Sequence, residues 1–251
     1  MSDSTAPKVI PPPPPSSALG EERESCFGDI PLGVCGSFIL SLVDDPFLNH
    51  PSITTADVCE NWVKPMTRAK KCSFIWSLGN EIDLTNGKRL VGPATIFISH
   101  AWKYPFSIPL NIMIKLAKEN PDAYFWFDVF VVNQHKAQLA NARSYDSIWF
   151  RTEFQRCINT IKRVVLILSP WDDPEPLKRS WCVWEILCAV QGEKTHGVKL
   201  EVVVPSSEVT SLMEGIYRDF KSIMDALARI QCSRADAWNK VDQTAIHDAI
   251  E

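Results

Sequence analysis

Residues 163–168 read Arg-Val-Val-Leu-Ile-Leu, a run of five apolar side chains behind one arginine. A strand with one face in solvent would show a polar residue at every second position, and this run shows none after its first residue. Continuous apolar strands are typical of parallel sheets that are covered by helices on both faces. The run therefore predicts a buried strand of an α/β domain.

Three further segments have strand character, and helical spacing separates them. The other predicted strands are residues 95–99, 124–132 and 199–204. The predicted helices are 107–120, 150–161, the helix that contains RSWCVWEIL at 179–187, and a helical region from residue 206 onward. Strands that alternate with helices indicate βαβ crossovers. We therefore expect a flavodoxin-like doubly wound parallel sheet of four or five strands, with functional residues at the carboxyl ends of the strands.

The sequence divides into three zones of different composition, and the last of them is this domain. Residues 1–30 carry the proline run 11–15, which predicts disorder or polyproline II structure. Such a tail is either a flexible leader or a ligand for a reader of the SH3 or WW type. Residues 31–92 predict a helical N-terminal extension with a capping box at Thr54 and Asp57. Residues 93–251 hold the α/β domain and C-terminal helices, and their helical end leaves open whether the sequence is a fragment.

The composition argues against several classes of protein. A net charge of −4 lacks the electrostatic footprint of a nucleic-acid binder. The eight cysteines include no C-x-x-C pair and no zinc-finger spacing, which predicts reduced thiols and neither disulfides nor a metal site. No apolar run is long enough to span a bilayer, and no secretory signal is visible. We therefore expect a soluble cytoplasmic protein that binds neither nucleic acid nor membranes.

Polar side chains follow the first two predicted strands. Ser99, His100 and Trp102 come directly after the first strand. They would hold a hydroxylated, planar ligand, or they would cap the strand and fill a gap. Asp128 interrupts the second strand and would bind a ligand hydroxyl or organise a turn. Asn133 begins a cluster of amide and imidazole side chains at 133–135 that would face a ligand or fix its own loop.

Common nucleotide and hydrolase motifs are missing from the sequence. No GxGxxG follows the first strand, and neither a Walker loop nor a GxSxG elbow occurs. A thiol nucleophile at Cys182, assisted by His100 or His135, is possible in principle. A buried and unreactive Cys182 is the alternative interpretation.

Glu185 stands among tryptophans, cysteines and aliphatic residues, where a carboxylate is costly unless a partner stabilises it. A helical wheel predicts that a different arc of this helix faces the sheet, formed by Val183, Ile186, Leu187 and Val190. The neighbours of Glu185 three and four residues away are aromatic or small: Trp181, Cys182, Cys188 and Ala189. This setting indicates either a functional carboxylate or one that is paired with an arginine or lysine.

Three motifs occur in an order that is known from one family. Residues 97–99, 126–130 and 180–185 read FIS, WFDVF and SWCVWE. This succession resembles the Toll/interleukin-1 receptor (TIR) domain, in a divergent form seen in algal and protist proteins. The last motif looks like the family's S-x-W-C-x-x-E-L segment and is the most specific of the three. The resemblance covers about residues 94–205.

The resemblance implies two functions. Some TIR domains cleave NAD⁺ at the nicotinamide–ribose bond, with the glutamate of W-x-x-x-E as the catalytic residue, and Trp181 and Glu185 match that pattern. The enzyme would have NAD⁺ as its substrate and no cofactor, with Trp102 and Trp126 as candidates for stacking on the substrate. Other TIR domains only assemble signalling complexes, so a non-enzymatic interaction module is the alternative. Either function would involve a homo-oligomer formed through TIR-type contacts.

The sequence departs from the family in two places. The loop after the second strand lacks the usual glycine and carries Asn133, Gln134 and His135 instead. The family's mode of assembly depends on that loop. No clear fifth strand follows residue 205, so we expect the sheet to have four strands or to gain one from the N-terminal extension.

Overall fold

The computed structural model describes residues 30–137, 147–218, 235–236, 243–244 and 246. The predicted disorder of the proline-rich tail therefore lies outside the described residues. The same holds for residues 219–234 of the helical region that is predicted from residue 206 onward.

Six strands form one mixed sheet, and its main part is parallel. The strands are β1 (Leu32–Cys35), β2 (Val91–Pro93), β3 (Ile96–Ser99), β4 (Tyr124–Trp126), β5 (Arg163–Ile167) and β6 (Lys199–Val203), in the order β2-β1-β4-β3-β5-β6. β3 pairs in parallel with β4 and β5, and β5 pairs in parallel with β6. The four parallel strands thus have the order 2-1-3-4 of a flavodoxin-like sheet, and the predicted fold class is confirmed.

Helices connect the parallel strands, as the alternating pattern predicts. The helices are α1 (Gly36–Ser41), α2 (Thr55–Val58), α3 (Lys64–Thr67), α4 (Phe74–Leu78), α5 (Ser107–Glu119), α6 (Asp128–Val131), α7 (Gln134–Ala137), α8 (Ser147–Ile161), α9 (Ser180–His196) and α10 (Ser206–Arg218). The interior of β5 is completely covered, and Val164, Val165 and Ile167 have no solvent exposure. Among the described residues, no helix is both long and apolar enough to cross a membrane.

The N-terminal extension is part of the sheet as well as helical. β1 pairs antiparallel with β2 and with β4, so residues before the α/β domain add two strands to its edge. β1 approaches β4 so closely that a Cβ atom at Gly33 would lie 2.4 Å from the carbonyl oxygen of Phe125. The sheet therefore has six strands where four or five were expected. The sequence gives little sign of the extra two, because strands of three and four residues carry little periodicity.

The helical part of the extension packs against α6, the helical turn that follows β4. Thr54 and Asp57 form the predicted capping box at the start of α2. The helix continues through a π-helical turn at Cys59–Val63 into α3, and Pro65 lies in the first turn of α3. Rings from the extension and from α6 form one aromatic cluster: Phe38, Trp62, Phe74 and Phe130.

The second parallel strand is much shorter than its apolar sequence suggests. The expected strand at 124–132 is β4 over Tyr124–Trp126, followed by the helical turn α6 over Asp128–Val131. The carboxylate of Asp128 accepts a hydrogen bond of 2.7 Å from the backbone amide of Val129 and so favours this turn. Burial explains the apolar sequence beyond the strand, because Val129, Phe130 and Val131 are all fully buried.

Candidate functional site

The parallel sheet has its topological switch point between β3 and β5. The chain leaves β3 for β4 on one side and returns to β5 on the other. At such a point the two loops after the strands diverge and leave a crevice at the carboxyl ends. Ser99 ends β3, and the next residues bring His100 and Trp102 to this edge of the sheet. Asp128 lies at the same edge, two residues after β4.

Glu185 reaches this edge from α9. The hydroxyl of Ser99 donates a hydrogen bond of 2.5 Å to Oε2 of Glu185. Glu185 is only 7% exposed. Burial raises the pKa of its carboxyl group to about 8, the negative charge of Asp128 raises it as well, and the Ser99 hydrogen bond and the positive charge of Arg179 lower it. The carboxyl group is therefore largely neutral at pH 7 and close to its ionisation point.

Asp128 is the second carboxylate at this edge and is more accessible. Its side chain is 25% exposed. The indole nitrogen of Trp102 donates a hydrogen bond of 2.7 Å to Oδ2 of Asp128. Burial raises the pKa of Asp128 to about 6, while the Trp102 hydrogen bond and the charge of Arg179 act in the opposite direction. Asp128 is thus the carboxylate that is mostly ionised at pH 7 and reaches solvent.

His100 lies beside Asp128 and is neutral. Burial and the charge of Arg179 lower the pKa of His100 to about 3. Its ring stacks on Phe127 at a centroid distance of 4.5 Å, and its Nδ1 lies 4.0 Å from Oδ1 of Asp128. Its Nε2 is buried and has no hydrogen-bond partner among the described residues. A buried imidazole nitrogen without a partner is unusual and indicates a place where a ligand or water belongs.

The cluster at 133–135 connects the site to the N-terminal extension. Asn133 donates a 2.8 Å hydrogen bond to the carbonyl of Lys71, and its side-chain oxygen accepts one from the backbone amide of His135. The ring of His135 is hydrogen-bonded to the Thr67 hydroxyl at 2.8 Å. Asn133 is only 3% exposed. The structure therefore favours the loop-fixing interpretation of Asn133 over the ligand-facing one.

Tyr104 fixes the loop after β5 on the other side of the switch point. Its hydroxyl donates a 2.6 Å hydrogen bond to the carbonyl of Ser169 and accepts one of 2.8 Å from the amide of the same residue. Glu208 of α10 accepts hydrogen bonds from the Ser169 hydroxyl and from the backbone amide of Trp171. The loop that leads to α9 therefore has a defined position beside the site.

The buried face of α9 is not the one that the helical wheel predicts. Val190 is 52% exposed, whereas Glu185 lies on the buried face with Cys182, Cys188 and Ala189. The prediction that the arc through Val190 faces the sheet is wrong for that residue, and so is the prediction that Glu185 lies off the buried face. Small side chains explain the difference, because they let α9 approach the core closely. A Cβ atom at Gly192, on the same face, would lie 2.6 Å from a methyl group of Val198.

The predicted tryptophans have three different environments. Trp102 is partly exposed beside Asp128, as described above. Trp181 is partly exposed on α9 and packs on Phe154 with ring centroids 5.5 Å apart. Trp126 is fully buried and stacks on Phe97 with ring centroids 4.3 Å apart. The ring of Phe154 also makes an edge-to-face contact with Trp126. Trp126 is therefore a core residue that no substrate can reach, and only Trp102 and Trp181 stay in the candidate site.

Cys182 has no features of a nucleophile. Its thiol is buried and donates a 3.3 Å hydrogen bond to the carbonyl of His100. Burial, with a contribution from the Glu185 carboxylate, holds the pKa of Cys182 far above its usual range. Among the described histidines, none has a ring nitrogen hydrogen-bonded to it. The described cysteines are all free thiols, and the described residues include no group of three or more ligating side chains placed to hold a metal ion.

Arg179 is a member of the site that sequence reasoning did not single out. It stands directly before α9, and its positive charge acts on Glu185, Asp128 and His100. The sequence predicts that an arginine or lysine could pair with Glu185, but no ion pair between Arg179 and Glu185 forms in the structure. Its position one residue before the Ser180-Trp-Cys motif is the signal that could have identified it.

The chain matches no protein-family model, no curated protein and no solved structure. The function of the site therefore has to be inferred from its own geometry.

Proposed function

We propose that the protein is a TIR-like enzyme that cleaves NAD⁺ at the nicotinamide–ribose bond, with Glu185 as its catalytic carboxylate. The observation that supports this proposal most is the meeting of Ser99, Asp128 and Glu185 at the carboxyl ends of β3 and β4. Two carboxylates beside a switch point suit a reaction that passes through a cationic sugar. The W-x-x-x-E spacing of Trp181 and Glu185 supports the same assignment.

The proposed step breaks the bond between the ribose C1′ and the nicotinamide nitrogen. The bonding electron pair leaves with nicotinamide, which becomes neutral, and C1′ becomes an oxocarbenium-like cation. Water then adds to C1′ and loses a proton, which gives ADP-ribose. The carboxylate of Glu185 stabilises the cation, and its low-dielectric surroundings strengthen this interaction.

The raised pKa of Glu185 is compatible with this role. The nicotinamide ring of NAD⁺ carries a positive charge, and a nearby positive charge favours the ionised form of a carboxyl group. Substrate binding would therefore convert the neutral Glu185 to the carboxylate that the reaction needs. The ionised and partly exposed Asp128 would accept hydrogen bonds from the ribose hydroxyls, with Trp102 holding its orientation.

Incubation of the purified protein with NAD⁺, followed by chromatography for nicotinamide and ADP-ribose, tests the proposal. Glu185→Gln keeps the size of the side chain and removes its charge, and it should abolish product formation. Glu193→Gln is the matched control, because Glu193 lies on the same helix and is exposed. The assay is run at high protein concentration and with a crowding agent, since active members of the family usually require assembly. An inert wild type under all of these conditions would exclude the proposed reaction.

A non-enzymatic interaction module is the second candidate, and α10 provides the observation that favours it. Val209, Met213 and Ile216 are apolar side chains of this helix that are exposed to solvent. An interaction module would associate through such a face and would tolerate the loss of the carboxylate. Sedimentation velocity of the wild type and of Met213→Lys distinguishes the two candidates. The module requires an assembly that the lysine weakens, together with an unchanged assembly in Glu185→Gln and no NAD⁺ cleavage.

A further inference from the structure

The candidate site contains a positive charge that has no partner among the described residues. Arg179 acts electrostatically on both carboxyl groups and on His100. Its side chain is partly exposed. Within the described part of the chain, its guanidinium group makes no hydrogen bond and has no carboxylate oxygen within 4.0 Å. The guanidinium is a planar group with five donors that suits phosphate and carboxylate ligands, and here all five are unused by the described protein groups.

The backbone on both sides of Arg179 is fixed. The amide of Asp236 donates a 2.7 Å hydrogen bond to the carbonyl of Lys178, and the amide of Ser180 donates one of 2.9 Å to the carbonyl of Asp236. These two bonds form a bridge across Arg179, which has an extended conformation directly before α9. A side chain on a fixed backbone loses less entropy when it binds a ligand than one on a free loop.

A second unpartnered polar group lies at the same end of α9. The thiol of Cys182 donates to the carbonyl of His100, so the first turn of α9 lies directly against His100. His100 is 4% exposed, and its Nε2 is the buried nitrogen that lacks a partner. Its Nδ1 is the nitrogen nearer to Asp128. The Nε2 of His100, which is buried, and the guanidinium of Arg179, which is partly exposed, therefore both lack partners among the described residues at this end of α9.

The charges of the site are arranged in two parts. The carboxyl groups of Asp128 and Glu185 lie at the ends of β4 and β3, where a positive or hydroxyl-bearing part of a ligand would bind. The positive charge of Arg179 lies at the start of α9, where the helix dipole also favours a negative group. NAD⁺ carries these two kinds of group, because its nicotinamide-ribose part is cationic and its pyrophosphate is anionic. A nucleoside without phosphates would use only the first part of the site.

We propose that Arg179 determines the specificity for a dinucleotide by binding its pyrophosphate group, and that Nε2 of His100 makes a polar contact with the same ligand. This inference rests on the proposed cleavage of NAD⁺ and adds the residue that recognises the part of the substrate far from the broken bond. Arg179 touches the substrate in this account but takes no part in breaking the bond.

Binding measured by isothermal titration calorimetry separates this role from catalysis. ADP-ribose is the probe that carries the pyrophosphate, and nicotinamide riboside is the probe that lacks it. The loss of a charged hydrogen-bonding group predicts that Arg179→Gln weakens ADP-ribose binding about tenfold or more. Its affinity for nicotinamide riboside should change less than about twofold, because nicotinamide riboside has no group for Arg179. Lys194→Gln, an exposed residue of α9 with the same change in charge, should bind both probes like the wild type.

Three results would overturn the inference. The first is ADP-ribose binding by Arg179→Gln that equals the wild type, and the second is an equal loss for both probes, which indicates a general disturbance of the carboxyl groups. The third is a wild type that binds no ADP-ribose at millimolar concentration. Arg179-dependent binding without NAD⁺ cleavage would support this inference and refute the proposed reaction. NAD⁺ cleavage by Arg179→Gln with an unchanged KM would refute this inference and support the proposed reaction.

Discussion

The hydroxyl group of Ser99, at the end of β3, donates a 2.5 Å hydrogen bond to the buried carboxyl group of Glu185 on α9. The two residues are 86 positions apart in the sequence, and the fold brings them together at the switch point of the sheet. This hydrogen bond lowers the pKa of Glu185, whereas burial raises it. Burial has the larger effect, so the pKa of Glu185 is about 8. The ionisation of Glu185 is therefore adjustable by its neighbours.

Ser99→Ala should move the pH dependence of NAD⁺ cleavage to higher pH. The hydroxyl lowers the pKa of Glu185, so its removal raises that pKa above about 8 and reduces the ionised fraction at pH 7. We expect kcat/KM at pH 7 to fall about tenfold and the activity to recover as the pH rises. Ser77→Ala, at a serine whose hydroxyl binds a carbonyl in α4, is the control. An unchanged profile in Ser99→Ala would contradict this role of the hydroxyl.

Glu185→Gln should stabilise the protein relative to the wild type as the pH rises from about 5 to about 8. The pKa of Glu185 is about 8 in the folded protein and near 4.5 in the unfolded chain, so the folded state binds more protons in this interval. The wild type therefore loses stability as the pH rises, by on the order of a few kcal/mol, and glutamine has no such loss. Asp128 and Arg179 are the ionisable groups that act on Glu185 in the wild type, and both stay in the variant.

Urea unfolding of both proteins at several pH values measures this effect. The difference in the free energy of unfolding between Glu185→Gln and the wild type should grow from pH 5 to pH 8 and then stay constant. Glu193→Gln should show no such growth, because Glu193 is exposed. A difference that is independent of pH would mean that Glu185 is already ionised in the folded protein at pH 5.

Much of the fold could be predicted from the sequence, because the parallel strands are apolar and helices separate them. β3, β5 and β6 begin and end within about one residue of the predicted runs. β1 and β2 could not be predicted, because short edge strands carry almost no pattern. The apolar run after β4 looks like a continuing strand, and only tertiary burial distinguishes it from the helical turn that forms.

Several residues of the candidate site could be predicted from the sequence, but their arrangement could not. Ser99 and Asp128 lie at one edge of the sheet, as their positions after strands indicate, and Glu185 reaches the same edge from α9, which the sequence did not predict. The helical wheel misplaced Glu185, because apolar character identifies a buried face only where large side chains form it. Most buried residues of α9 are small, although Val183 and Trp184 are buried as well, and Val190 of the predicted arc is exposed.

Tyr104→Phe should destabilise the protein by about 1–3 kcal/mol, because it leaves buried backbone groups of Ser169 without their partner. The melting temperature should fall by several degrees, at about 2–4 °C for each kcal/mol in a chain of this size. Tyr217→Phe is the control, since Tyr217 is largely exposed on α10. Equal melting temperatures for the two variants would show that the hydrogen bonds of Tyr104 contribute nothing to stability.

The rate of nicotinamide release from NAD⁺ tests most directly whether Glu185 is a catalytic carboxylate. The wild type and Glu193→Gln should release nicotinamide at the same rate, and Glu185→Gln should release none while it unfolds cooperatively and keeps its affinity for ADP-ribose. Nicotinamide release by Glu185→Gln at the rate of the wild type would contradict the claim.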